Sequence, residues 1–115
     1  MHEAAVTEAI VEQVRRALPA GSRLEVCRIE VGELEHLDAE VMGSIWHAMT
    51  AETDLAGAML EIERVALRVR CGACAGEFVP EDKAILVCPA CGSVRPEVLA
   101  GSGITLRSLE VEEGG

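Results

Sequence analysis

Apolar residues in the first eighteen positions recur at helical intervals. Val6, Ile10, Val14, Ala17 and Leu18 fall four, four, three and one residue apart, which lines one face of a helix over residues 3–18. Glu3 and Glu8 lie early and Arg15 and Arg16 late, the order that suits the helix dipole. Pro19 and Gly21 end the element. The pattern then changes to alternation. In residues 23–31 Leu24 and Val26 share one face of a strand, while Cys27, Ile29 and Val31 share the other. Either both faces are partly covered or a bulge shifts the phase.

A turn over residues 32–37 leads to a second helix, for which Asp38 is the expected N-cap. Met42, Ile45, Trp46 and Met49 form its buried stripe at i, i+3, i+4 and i+7. Residues 50–58 read as a polar-to-small loop with at most one helical turn. Residues 59–65 alternate again, with Leu60 and Ile62 opposite Glu61 and Glu63, and predict a second strand. Residues 96–103 read as a return loop. A last strand over 104–112 slips phase near Ser108, because Ile104 and Leu106 oppose Leu109 and Val111. That slip predicts a bulge or a change of sheet, with one end pairing in the cysteine module. Residues 112–115 read as a frayed tail.

Helix, strand, helix, strand predicts a crossover between two parallel strands, and the helices need a sheet face to bury their stripes. The expected fold is α+β: two helices on a small three-stranded mixed sheet, with an inserted zinc-ribbon-like four-cysteine module. The boundaries fall at 1–65 for the α+β domain, completed by the strand 104–112, and at 66–103 for the module.

That module reads Cys71-Gly72-Ala73-Cys74, thirteen residues, then Cys88-Pro89-Ala90-Cys91-Gly92. Two Cys-x-x-Cys pairs at this separation point to zinc. Four thiolates would close a tetrahedron and leave no position open for hydrolysis. Gly72 and Gly92 suit knuckles that need positive φ. Two disulfides or a redox-active pair are the alternatives. A segment this short cannot bury a core of its own, and zinc binding in finger-type peptides contributes about 10–16 kcal/mol. Arg64, Arg68, Arg70, Lys83 and Arg95 gather around the module, either to offset the charge of a tetrathiolate site or as a binding patch.

Composition narrows the function. The 115 residues carry a net charge of −10, one Trp, one Phe and no Tyr. Phosphate binding is opposed by the charge, and base stacking by the scarcity of rings, so no nucleic-acid partner is expected. The odd fifth cysteine, Cys27, suits a reducing compartment and reads as a small buried apolar group, with a metal or redox role as the alternative. No apolar run approaches the ~20 residues needed to span a membrane, and the start lacks the regions of a signal peptide. A cytoplasmic protein is expected. Met42 and Met49 read as core fillers rather than soft metal ligands, and His36 and His47 as solvated residues rather than ligands. No nucleophile–base pair is visible, so an enzyme is not expected. A homo-oligomer stays open.

The chain begins Met1-His2-Glu3. A terminal amine, the backbone nitrogen of His2 and its imidazole can form adjoining chelate rings, and such nitrogen-rich, square-planar sets suit Ni(II) or Cu(II). The bulky His2 side chain disfavours removal of Met1. A merely mobile histidine is the alternative.

Taken together, Met1-His2-Glu3, Val31-Gly32-Glu33-Leu34, Gly57-Ala58-x-Leu60-Glu61-Ile62, Cys71-x-x-Cys74 and Cys88-Pro89-x-Cys91-Gly92-Ser93 resemble the HypA/HybF family of hydrogenase nickel-incorporation proteins, in order and over nearly the whole chain. The resemblance implies a nickel metallochaperone for [NiFe]-hydrogenase maturation. It implies structural zinc on Cys71, Cys74, Cys88 and Cys91, and nickel at the N-terminus, with the His2 side chain essential and the backbone at His2 and Glu3 contributing; the chelate reading adds the Met1 amine. It also implies two partners, a HypB-type GTPase and the hydrogenase large-subunit precursor. The second helix departs from the family: it reads Ile45-Trp46-His47-Ala48-Met49 in place of a Phe-rich segment. An acidic group at its start, Asp38 or Glu40, is placed to approach the nickel. A zinc-ribbon interaction or nucleic-acid-binding module without nickel is the competing reading.

Overall fold

The computed structural model describes residues 2–80 and 86–113. Its elements run α1 (Glu3–Ala17), β1 (Ser22–Gly32), a 3-10 turn (Glu33–Glu35), α2 (Ala39–Thr50), β2 (Met59–Val65), β3 (Arg68–Cys71), β4 (Glu77–Phe78), β5 (Pro96–Ala100) and β6 (Ile104–Glu113). Among the described residues these form two three-stranded sheets, ordered β2-β1-β6 and β4-β3-β5. The chain divides into two compact units. The first holds residues 1–30, 37–63 and 105–115; the second holds 31–36 and 64–104.

In the first unit α1 buries Thr7, Ile10 and Val14, a stripe spaced three and four apart. The helix stops where Pro19 forbids its continuation, and the Leu18 N–H closes the last turn on the Val14 carbonyl at 2.8 Å. Asp38 caps α2: its Oδ1 accepts from the amides of Glu40 at 2.9 Å and Val41 at 3.2 Å. Such a cap stabilises a helix by about 1 kcal/mol. Met42, Trp46 and Thr50 are the buried face of α2. Two polar groups on that face are satisfied: the Trp46 indole N–H donates to the Ala58 carbonyl at 2.9 Å, and the Thr50 hydroxyl donates to the Trp46 carbonyl at 2.8 Å. Leu24, Cys27 and Ile29 of β1 and Leu55 of the following loop complete this core.

Residue numbers rise together along β1 and β2. Arg23 to Val26 lie beside Gly57 and Met59, and Arg28 to Glu30 beside Glu61 to Glu63. The two strands are therefore parallel, with α2 as their crossover, as expected. Along β6 the numbers fall: Arg28 pairs with Glu110 at 3.1 Å and Glu30 with Arg107 at 3.7 Å. The sheet is mixed.

Two expectations need correction. The phase of β6 slips as expected, half-burying Ile104 and Leu106 and then Leu109 and Val111. Yet the strand stays in one sheet, at its edge beside β1. An edge strand with no residue fully buried tolerates such a slip without leaving its partner. The third strand of the cysteine unit is instead β5, in the stretch expected to be a return loop. It runs antiparallel to β3, with Cys71 opposite Pro96, Arg70 opposite Glu97 and Val69 opposite Val98. Pro96 can open an edge strand because it has no ladder N–H to lose there.

The second unit is tied together by main chain. Gly32 donates to the Gly103 carbonyl and Leu34 to the Gly101 carbonyl, each at 2.9 Å. A Cβ added at Gly32 would lie 2.2 Å from the Gly101 oxygen, and one at Gly101 would lie 2.5 Å from the Leu67 Cα. Backbones at this crossing touch directly, and only glycine permits it. Two carboxylates brace the crossing. Glu33 Oε1 accepts the Leu67 N–H at 3.3 Å, and Glu35 Oε2 accepts the Gly103 N–H at 2.9 Å. Val31, Leu67 and Val69 are buried beside them in sequence.

Candidate metal centre

The four cysteines of the second unit converge. Cys71, Cys74, Cys88 and Cys91 place their sulfurs within 4.8 Å of one another, the one such group of His, Cys, Asp or Glu among the described residues. Cys71 ends β3, and Cys88 follows the segment outside the described residues. Each opens a turn of the same construction. In the first, Ala75 donates to the Cys71 carbonyl at 2.9 Å and Cys71 to the Gly76 carbonyl at 2.8 Å; in the second, Gly92 donates to the Cys88 carbonyl at 2.9 Å and Cys88 to the Ser93 carbonyl at 3.0 Å. The residue four places after the first cysteine has positive φ in both turns: 64° at Ala75 and 73° at Gly92.

Gly92 thus has the conformation expected from sequence, and Gly72 does not. Gly72 meets a different demand. A Cβ there would lie 2.9 Å from the Arg95 carbonyl oxygen, which accepts the Gly72 N–H at 2.7 Å. Glycine is needed at Gly72 for space and at Gly92 for torsion.

The sulfurs pair across the two turns, Cys71 with Cys91 and Cys74 with Cys88, both at 3.6 Å. A disulfide needs about 2.05 Å, so these thiols are free, as is Cys27. Four sulfurs about 2.3 Å from a central ion would be about 3.8 Å apart at the edges of a tetrahedron. The donor set and its spacing fit a tetrahedral thiolate ion such as zinc.

The cage is electrostatically uneven. Amides of Cys74 and Ala73 pull the Cys71 thiol down to about 6, with the Ala73 N–H 3.3 Å from its sulfur. The Cys91 amide lowers Cys88. Against the pull of the Ser93 amide, the Cys71 and Cys88 sulfurs push Cys91 up to about 12. Against the Gly76 amide, Cys88 and Cys71 raise Cys74. An incoming cation must displace the protons of the outer pair, so affinity rises with pH.

Two of the arginines around the cage pair with carboxylates. Arg68 pairs with Glu77 on β4 at 2.5 Å, and Arg70 with Glu97 on β5 at 3.6 Å. These are cross-strand pairs within the sheet β4-β3-β5. Lys83 lies outside the described residues.

In the first unit His2 is the exposed N-cap of α1 and makes no side-chain cap hydrogen bond. Its carbonyl accepts the first helical bond, from Val6 at 2.9 Å. Glu3 Oε2 accepts the Asp38 N–H at 3.1 Å, which brings the starts of α1 and α2 together. Met1 lies outside the described residues. Glu40 is exposed in the first turn of α2. His36 and His47 are exposed and join no metal-binding group among the described residues. Cys27 is fully buried and burial pushes its thiol up to about 11, so it stays protonated at neutral pH. Sequence reasoning missed the bracing roles of Glu33 and Glu35; the Val31-Gly32-Glu33-Leu34 motif includes the first and not the second.

A four-thiol cage on a small α+β chain defines a metal-binding protein. The family model described as "Hydrogenase/urease nickel incorporation, metallochaperone, hypA" matches residues 1–111, and the chain belongs to that family. It is a maturation factor and not an enzyme. It is 38% identical over 112 residues to the hydrogenase maturation factor HypA of Geobacter sulfurreducens, covering 97% of this chain and all of the relative. It is 35% identical over 117 residues to that of Streptomyces avermitilis, covering 99% and 89%. The solution structure of the Ni metallochaperone HypA from Helicobacter pylori shares the fold, with a TM-score of 0.63 at 23% identity over 96% of this chain and 97% of that one. No helix among the described residues is long and apolar enough to cross a membrane.

Proposed function

We propose that the chain carries Ni(II) at its N-terminus for [NiFe]-hydrogenase maturation while the cysteine cage holds zinc for structure. The observation that carries the reading is His2, an exposed imidazole at the helix start with no competing side-chain bond there. The imidazole, the backbone nitrogens of His2 and Glu3 and the Met1 amine form the nitrogen-rich set that selects Ni(II) over oxygen-seeking ions. The Asp38 N–H donates to Glu3 Oε2 at 3.1 Å, which brings the start of α2, with Asp38 and Glu40, close to the proposed nickel-binding end of α1. Moderate affinity at an exposed end suits a carrier that must release its ion. The recipients are a HypB-type GTPase and the hydrogenase large-subunit precursor, in the cytoplasm.

Nickel titration of the wild type against His2→Ala, with zinc content followed in both, tests this. Nickel binding is lost in His2→Ala and zinc is retained. Unchanged nickel affinity sinks the terminal site. A residue added before Met1 removes the free amine and should disturb the nickel geometry; an unaltered spectrum counts against amine ligation.

A further inference from the structure

The cage has an inside and an outside. Cys71 and Cys88 are 2% and 3% exposed, whereas Cys74 and Cys91 are open to solvent. Each open sulfur has a buried partner across the cage at 3.6 Å, Cys88 for Cys74 and Cys71 for Cys91. The two residues of each Cys-x-x-Cys pair are therefore unequal, and the short contacts cross between the turns.

We infer that Cys74 and Cys91 are peroxide-reactive sites, that their oxidation ejects the ion, and that the cage then closes along its short ion-free contacts, linking Cys74 to Cys88 and Cys91 to Cys71. This rests on the zinc reading above. In a tetrathiolate site all four sulfurs are deprotonated, so access decides which is attacked. The Cys74 thiolate attacks hydrogen peroxide; a sulfur–oxygen bond forms, the oxygen–oxygen bond breaks, and hydroxide leaves. The Cys88 thiolate then attacks that sulfur, forming the disulfide and expelling the oxygen as a second hydroxide. Two thiolates lose two electrons, peroxide gains them, and the ion loses two ligands. Cys91 and Cys71 react in the same way. Closing 3.6 Å to a bond of about 2.05 Å requires a small displacement of one turn toward the other.

The test uses the whole zinc-loaded chain, its metal content measured first. N-ethylmaleimide labels Cys74 and Cys91 roughly tenfold faster than Cys71 and Cys88. After peroxide treatment and thiol trapping, mass spectrometry finds the links Cys74–Cys88 and Cys71–Cys91, and a chromogenic chelator records zinc leaving in step with the first. Links within a pair, Cys71–Cys74 or Cys88–Cys91, overturn the inference, as does equal labelling of the four thiols. A chain holding no zinc at the start overturns the zinc reading and this inference with it, and the metal content distinguishes that failure from the others.

Discussion

The two cysteine turns share one hydrogen-bond pattern and meet its demands with different residues. The second, from Cys88, has glycine where φ is 73°, and the space around that residue is open. The first, from Cys71, has alanine where φ is 64° and places its glycine one residue after the cysteine, against the Arg95 carbonyl. One turn uses its glycine for torsion, whereas the other accepts a left-handed alanine and uses its glycine for the close approach of the Arg95 segment. The difference follows from setting. The first turn extends β3, and its Gly72 N–H continues the pairing toward β5 through Arg95. A methyl group at Gly72 would break that continuity, whereas the methyl of Ala75 costs only backbone energy.

Removing a ligand should abolish the comparison altogether. Cys71→Ser takes away the sulfur that both ends β3 and contacts Cys91, so under the proposed zinc reading zinc content should fall to near zero. Since the ion contributes about 10 kcal/mol or more to such modules, the melting transition of the second unit should broaden or vanish in calorimetry. Acid sharpens the comparison next. Cys71 has its thiol lowered from 9.0 to about 6. In the metal-free protein its thiolate stabilises the folded turn fully above pH 9, and that contribution is lost as pH falls through about 6. Thiolate absorbance should show a step near 6 that Cys71→Ser removes. A first titration near 9 would show that the amides of Cys74 and Ala73 do not hold the sulfur.

Smaller effects separate space from torsion. Gly72→Ala forces a Cβ to 2.9 Å from a backbone oxygen and should destabilise the unit by about 1–3 kcal/mol, read as a lower denaturant midpoint. Gly92→Ala meets no atom within 4 Å and should cost only about 1–2 kcal/mol for the left-handed torsion. The smallest change is a gain. Ala75→Gly relieves the same torsion and should raise stability by up to about 1 kcal/mol, offset in part by the greater freedom of glycine in the unfolded chain. If Gly92→Ala proved as harmful as Gly72→Ala, the division between the turns would be wrong.

Much of this was legible in the chain. Helical spacing, the Asp38 cap and the alternation after Ala58 place α1, α2 and β2 almost to the residue, because each is a local, repeated signal. The four sulfurs were equally legible, since Cys-x-x-Cys spacing encodes its own geometry. What escaped depended on partners far away in sequence. The stretch Pro96–Ala100 becomes a strand only because β3 offers it a ladder. Arg68 and Arg70 turn to Glu77 and Glu97 because those strands flank β3. Ala75 takes a glycine's conformation because Cys71, Gly76 and Arg95 already fix the turn around it. Glu33 and Glu35 looked like ordinary turn acids until Leu67 and Gly103 supplied the amides they bind.

The single indole, 2% exposed and bonded to the Ala58 carbonyl, gives the molecule a built-in optical division. With no tyrosine in the chain, near-ultraviolet fluorescence reports almost entirely on the unit that carries His2. A metal bound to the four cysteines would give its sulfur-to-metal charge-transfer bands in the other unit. Under the proposed function, nickel arrival and zinc loss would then be followed in one cuvette, in separate spectral channels, without attaching a dye.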